Sequence, residues 1–100
     1  MDIEEAISSA TCLSDGMVLV AKPPLTYASD ARLVEMNPDG TVRREDLEGG
    51  YRVLLDFEDI ATLLSYAARK KMSSRSVAEF IIHYAILDAY PAWFEDIPDI

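Results

Sequence analysis

The chain has little cysteine and no long apolar run. Its single cysteine, Cys12, has no partner for an intramolecular disulfide, which is typical of a reducing compartment. The longest apolar stretches, GMVLVA and FIIHYAIL, fall far short of the roughly 18 residues that a membrane-spanning helix needs. The acidic N-terminus, MDIEEAISSA, lacks the basic and apolar regions of a signal peptide. We therefore expect a cytoplasmic protein without a membrane span.

The sequence also has few of the residues from which catalytic and metal sites are built. His83 is the only histidine, and with Glu79 it would supply only half of a metal site. Cys12 and His83 are the one available cysteine–histidine pair, and the chain has no glycine-rich phosphate loop. The stretch KKMSSRS resembles the KMSKS loop of class I aminoacyl-tRNA synthetases, but Ser74 replaces its second lysine and no HIGH-like motif accompanies it. We expect no enzymatic activity, no metal and no other cofactor.

Negative charge is what the chain has in excess. Eighteen acidic and nine basic residues give a net charge of −9. Residues 1–50 carry ten acids and four bases, residues 51–90 carry five of each, and residues 91–100 carry three acids and no base. Acidic surfaces repel the phosphate backbone of nucleic acids and attract basic proteins. The charge therefore favours a basic protein partner over nucleic acid.

The first half of the chain predicts a short helix and several strands. One hundred residues, half of them hydrophobic, are enough for a single domain over 1–100. Apolar spacing predicts a helix at about 2–10, and MVLVA at 17–21 is typical of a strand. The turn sequence NPDG predicts a hairpin at 32–44.

The second half predicts a further strand and two helices. YRVLL at 51–55 would place Tyr51, Val53 and Leu55 on one face of the sheet. Asp56 is a candidate cap for a helix of about 15 residues that ends in basic residues. Strands grouped before helices predict an α+β fold, in which an antiparallel sheet of three to four strands packs against two C-terminal helices, with a short N-terminal helix.

The last predicted helix runs from Ser76, as its cap, to Tyr90. It is apolar on nearly every side, so its surface must be covered. Two alternatives follow: a central position against the sheet, or a homodimer contact through residues 76–90.

Residues 51–90 loosely resemble the ribbon-helix-helix DNA-binding module, with a strand followed by two helices. The resemblance implies a dimeric regulator in which Arg52 reads bases. Lys70, Lys71 and Arg75, with the amides after Ser74, would contact the DNA backbone. The chain departs from that pattern because its turn has no glycine and its strand offers one polar reader rather than several.

The favoured interpretation is a small protein-binding module, of the type of immunity proteins to bacterial toxins or phage inhibitors of nucleases. It would block a basic, nucleic-acid-handling partner by occupying its cationic groove. The candidate acidic face comprises Glu35, Asp39, Glu45, Asp46 and Glu48. The candidate tail site comprises Trp93, Phe94, Glu95 and Asp96, although the two rings could instead fold back onto the last helix.

Overall fold

A computed structural model describes residues 1–9 and 16–100, so Cys12 lies outside the described residues. The helices are α1 (Ile3–Ser9), α2 (Phe57–Ala67) and α3 (Ser74–Leu87), the strands are β1 (Met17–Ala21), β2 (Ala31–Glu35) and β3 (Arg52–Asp56), and 3-10 helices span Arg44–Leu47 and Ala92–Phe94. The strands form one antiparallel sheet in the order β2-β1-β3. The predicted α+β fold, with its short N-terminal helix and two C-terminal helices, is confirmed.

The central strand, β1, contributes side chains to two separate clusters on opposite faces of the sheet. Leu19 and Ala21 belong to the larger cluster, which is built mainly with the three helices. Val18 and Val20 point the other way and form a smaller cluster with Tyr51. This alternation is the period-2 pattern of a strand, and all four side chains are buried because both faces are covered.

The second face is covered by residues 36–50, here called the arm. Three apolar side chains of the arm, Met36, Val42 and Leu47, pack against the smaller cluster. The sequence predicted helices on one face of the sheet but nothing specific on the other. The arm supplies this second layer without forming a sheet or an α-helix of its own.

The hairpin predicted at 32–44 forms only at its tip. The Gly40 amide donates to the Asn37 carbonyl (2.9 Å), and Gly40 adopts a φ of 86°. Beyond this turn, Met36 and Val42 form a single bridge, and the chain then enters the 3-10 helix instead of a fourth strand. The apolar side chains of the arm are buried by turning onto the sheet face rather than by extending its edge.

A β-bulge in β3 overturns the prediction that Tyr51 and Leu55 share a face. Leu55 pairs with Leu19, but the next pair joins Val53 to Val20, so Leu54 is an extra residue. Leu54 and Leu55 both pack against the larger cluster, whereas Tyr51 lies in the smaller one. An extra residue shifts the alternation by one, and side chains on either side of it therefore change faces.

Helix α2 is capped as predicted but is shorter than expected. The Asp56 carboxylate accepts a hydrogen bond from the Asp59 amide (2.9 Å). The helix has 11 residues and ends at Ala67, so Arg69, Lys70 and Lys71 follow the helix and do not form its last turn. This link instead contacts the tail, residues 91–100, through the bridge between Lys70 and Asp99.

Helix α3 begins and ends earlier than the sequence indicated. Its cap is Ser73 and not Ser76, because the Ser73 hydroxyl accepts a hydrogen bond from the Ser76 amide (3.1 Å). The helix ends at Leu87, where Asp88 adopts a left-handed conformation with a φ of 52°. The prediction that it continues to Tyr90 was therefore wrong by one turn.

Candidate partner-binding surfaces

The acidic face lies on the arm and at the end of the strand that leads into it. Glu35 ends β2, Asp39 lies in the turn, Glu45 and Asp46 belong to the 3-10 helix, and Glu48 follows it. Four of these side chains are exposed and Asp46 is half-buried. Because apolar side chains pin the arm to the sheet, the carboxylates are displayed on a packed surface layer.

Some of these carboxylates already have partners within the chain. Arg43 Nε lies 3.2 Å from Asp46 Oδ2 and 3.9 Å from Glu45 Oε1. Asp39 Oδ1 accepts hydrogen bonds from the Thr41 hydroxyl (2.6 Å) and amide (3.0 Å), and these bonds hold the pKa of Asp39 below its usual value. Among the described residues, the side chains of Glu35 and Glu48 make no ion pair and no hydrogen bond, which leaves both carboxylates available to a partner.

Tyr51, the residue that follows the arm, contacts side chains from β2 and from the loop before it. Its ring lies beneath the Arg32 guanidinium (4.3 Å to the centroid) and the Lys22 ammonium (5.0 Å). Its hydroxyl donates to Asp30 Oδ2 (2.6 Å). That bond is the main reason why the pKa of Asp30 is lowered and the pKa of Tyr51 is raised. Strand periodicity gave no signal for this cluster, in which Tyr51 contacts residues 19, 21 and 29 positions before it in the chain.

The two aromatic side chains of the candidate tail site differ in exposure. Phe94 is buried and stacks on Phe80, with centroids 4.3 Å apart and planes 12° from parallel. This is the fold-back arrangement that the sequence left open, and Phe94 is not exposed to a partner. Trp93 is 39% exposed, and Glu95 and Asp96 are exposed beside it in the chain.

A groove beside Trp93 brings the tail against the end of α3. It has a volume of about 240 Å³. Glu79, Ile82, His83, Ile86, Leu87 and Trp93 line it, and they define the Trp93 groove. Ile86 and Leu87 are 56% and 61% exposed. The sequence indicated that α3 has excess apolar surface but not that the excess is concentrated in its last turn.

The candidate DNA contacts are largely engaged within the chain. Lys70 Nζ donates to the Ile97 carbonyl (3.1 Å), lies 3.6 Å from Asp99 Oδ1 and sits over the Phe94 ring. Its side chain is only 15% exposed. Lys70 therefore serves as an anchor for the tail, which its sequence neighbourhood of basic residues did not indicate.

Glu4 of α1 occupies two more of the candidate DNA contacts. The Ser74 hydroxyl donates to Glu4 Oε1 (2.7 Å), and Arg75 Nε lies 4.0 Å from Glu4 Oε2. The Arg75 guanidinium also stacks on the Tyr27 ring, 4.2 Å from its centroid. Arg52 and Lys71 are exposed. The structure does not bring the five candidates together as one free cationic surface.

His83 does not pair with Glu79 as the sequence suggested. Its Nδ1 lies 2.9 Å from the Ala89 carbonyl oxygen, beyond the end of α3. Within residues 1–9 and 16–100, no group of three or more histidine, cysteine, aspartate or glutamate side chains is arranged to hold a metal ion.

Comparison with known proteins found no match among protein-family models, curated proteins or solved structures. In the part of the chain that the structure describes, no helix combines the length and apolar content required to cross a membrane.

Proposed function

We propose that this protein is a small non-enzymatic binding module whose acidic face engages a basic protein. It would act as an inhibitor or immunity-type protein that occupies a cationic nucleic-acid site on its partner. The observation that carries the proposal is the packed arm, which holds exposed carboxylates on one face of the sheet. Carboxylates presented in this way attract a cationic surface over a distance and speed encounter.

The overall charge supports the same class of partner. A net charge of −9 on 100 residues opposes binding to phosphate backbones and favours association with basic proteins. A cytoplasmic location belongs to the proposal and rests on the low cysteine content.

The DNA-binding alternative has less support. Lys70, Ser74 and Arg75 each contact an acid of the same chain, so DNA would have to displace those contacts before it could use them. Strand β3 pairs with β1 inside a three-stranded sheet, whereas a ribbon-helix-helix dimer pairs this strand between subunits.

The homodimer alternative for α3 is also weakened. Ala78, Phe80 and Ile81 are buried in the larger cluster of the same chain. The helix is thus already covered over much of its length, and its large exposed apolar side chains are Ile86 and Leu87 in the last turn.

The proposal can be tested with two variants of equal charge change. The protein would be immobilised, its partner captured from a nuclease-treated lysate of the source cells, and the purified partner titrated by calorimetry. Glu35→Gln with Glu48→Gln alters the acidic face, while Glu5→Gln with Glu58→Gln alters two exposed carboxylates elsewhere.

We expect the acidic-face variant to bind about tenfold more weakly, equivalent to about 1.4 kcal/mol, and the control to stay within about twofold of wild type. Equal affinities for all three proteins would contradict the acidic-face proposal. In a separate assay with purified duplex DNA, binding by the wild-type protein that is lost in an Arg52→Ala and Lys71→Ala variant would favour the regulator instead.

A further inference from the structure

Acidic residues dominate the charge of the last quarter of the chain. Residues 76–100 contain five acids, namely Glu79, Asp88, Glu95, Asp96 and Asp99, and no lysine or arginine. Residues 51–90 have five acidic and five basic residues, but all five basic residues come before residue 76. A partner that approaches the end of α3 and the tail therefore meets only acidic formal charges from this segment, apart from His83.

Exposed apolar side chains are concentrated in the same quarter. Eight large apolar side chains of the described residues are exposed, and five of them lie in residues 76–100. These five are Ile86, Leu87, Tyr90, Trp93 and Ile100. Three of the five, Ile86, Leu87 and Trp93, line the Trp93 groove, whereas Tyr90 and Ile100 line other surface grooves. Single exposed apolar residues are ordinary, but several together beside polar groups mark an interaction site.

The volume of the Trp93 groove suits one side chain of a partner protein. Its volume of about 240 Å³ is smaller than the roughly 300–1,000 Å³ of pockets that bind small molecules. A closed cavity of about 150 Å³ holds benzene, so the groove has room for one large apolar side chain. Trp93, Ile86 and Leu87 supply the exposed apolar surface, and Glu79 supplies a carboxylate at the same groove.

The negative charge of residues 76–100 favours a basic partner over a second copy of the chain at this groove. A second copy of the chain would bring one base-free acidic segment against another, and like charges placed across an interface cost binding free energy. Asp99 is already paired with Lys70, so a basic partner would pair its cations with the other four carboxylates, of which Glu79 lines the groove. Its apolar side chain would displace water from the groove.

We propose that the Trp93 groove is the anchor site for the basic partner and takes an apolar side chain flanked by lysine or arginine. This inference rests on the proposed function and assigns a different role in binding to each of two surfaces. The acidic face steers the partner, and the Trp93 groove retains it by burying an aromatic and two aliphatic side chains, as binding hot spots do.

Binding at this groove can be followed by tryptophan fluorescence, because Trp93 is the only tryptophan in the chain. The ligand would be a synthetic helical peptide of leucine and lysine with leucine at i, i+3, i+4 and i+7. A second peptide would have every leucine replaced by serine and so carry the same charge without the apolar face. We expect the leucine–lysine peptide to bind at least about tenfold more tightly and to shift Trp93 emission to shorter wavelength.

Matched variants identify the surface that binds. Ile86→Ser with Leu87→Ser removes exposed apolar surface at the groove, whereas Val53→Ser removes it from a side chain that is 50% exposed on β3. We expect the groove variant to bind the leucine–lysine peptide about tenfold more weakly and Val53→Ser to bind like wild type. Glu79→Gln, which leaves the apolar residues intact, should weaken binding about threefold and supplies a second test if the serine variant does not fold.

The outcomes separate this inference from the proposed function. Equal binding of the two peptides, or no effect of the groove variants, would overturn the Trp93 groove as the anchor. If the Glu35→Gln and Glu48→Gln variant still weakened binding to the captured partner, the proposed function would stand without it. A dimer mass by light scattering, with a Trp93 shift that depends on protein concentration alone, would instead assign the groove to a second copy.

Discussion

The two faces of the sheet are covered in different ways. On one face, α1, α2 and α3 enclose a large buried cluster that includes Phe80, Ile81 and Leu63. On the other face, the arm covers only Val18, Val20 and Tyr51, with half-buried side chains around them. The helical face contains most of the buried apolar surface, and the arm carries the acidic face.

Under the proposed function, this difference separates the part of the molecule that stabilises the fold from the part that would bind a partner. Buried apolar area is the main favourable contribution to folding, so the helical face should dominate the free energy of unfolding. The arm packs on the sheet through three half-buried side chains and has no α-helix or sheet strand of its own, so its local opening should cost less free energy than opening of the helical face. It can therefore change its exposed residues with little effect on the fold.

The largest expected effect is on the helical face. Phe80 is fully buried and stacks on Phe94. Phe80→Ala would leave a cavity and should lower the free energy of unfolding by about 3–5 kcal/mol, measured by urea denaturation. The control is Ile86→Ala on the same helix, whose side chain is 56% exposed and should change stability by less than about 0.5 kcal/mol. A loss below about 1 kcal/mol for Phe80→Ala would refute the dominance of the helical face.

A smaller and local effect is expected on the arm. Leu47 is half-buried against the smaller cluster. Leu47→Ala should cost about 1 kcal/mol, since full burial of such a side chain contributes about 1.5–3 kcal/mol. Amide hydrogen exchange should accelerate in residues 36–50 and stay unchanged in α2 and α3. Uniform acceleration through the helices would show that the arm and the helical core unfold as one unit.

The smallest expected effect is a pH dependence of stability that comes from the hydrogen bond between Asp30 and Tyr51, next to the arm. The lowered pKa of Asp30 means that its bond to Tyr51 stabilises the fold above the ordinary aspartate value of 3.8, and that this contribution is lost as the pH falls from there through the folded pKa. The raised pKa of Tyr51 means that its contribution is complete below 10.0 and is lost as the pH rises through the folded value. Thermal melts of wild type and Tyr51→Phe should therefore differ most between these limits.

Outside those limits the two melting curves should converge. Partial desolvation of the exposed Asp59 carboxyl and the nearby Asp56 carboxylate also raise the pKa of Asp59, but this effect is common to both proteins and cancels in their difference. A difference in melting temperature that was constant across the whole pH range would show that the hydroxyl acts by packing and not through the carboxylate.

The sequence predicted the helices and strands best where local signals agree. Alternating β-branched residues specify β1, and the Asp56 cap specifies the start of α2. The NPDG turn also forms as predicted, since it requires only contacts between residues 37 and 41. Ser73 and Ser76 have similar capping propensities, and local sequence alone did not decide between them.

The rest depends on contacts between distant parts of the chain. The bulge at Leu54 exchanges the faces of Tyr51 and Leu55, and no local pattern encodes it. Lys70 was predicted as a surface cation but contacts Ile97 and Asp99, 27 and 29 positions away. Of the candidate acidic face, four carboxylates are exposed and Asp46 is half-buried, and the binding role of these residues stays a prediction. The Trp93 groove does not follow from the sequence, because it exists only when the tail returns to α3.

The rate of association with the captured, purified partner tests the central proposal most directly. Stopped-flow measurements of wild type at about 50 mM and about 500 mM salt change the screening of the acidic face but not its contacts. Electrostatic steering predicts that the association rate constant falls at least about tenfold while the dissociation rate constant changes much less. An association rate constant that is the same at both salt concentrations would contradict an acidic surface that binds a basic partner.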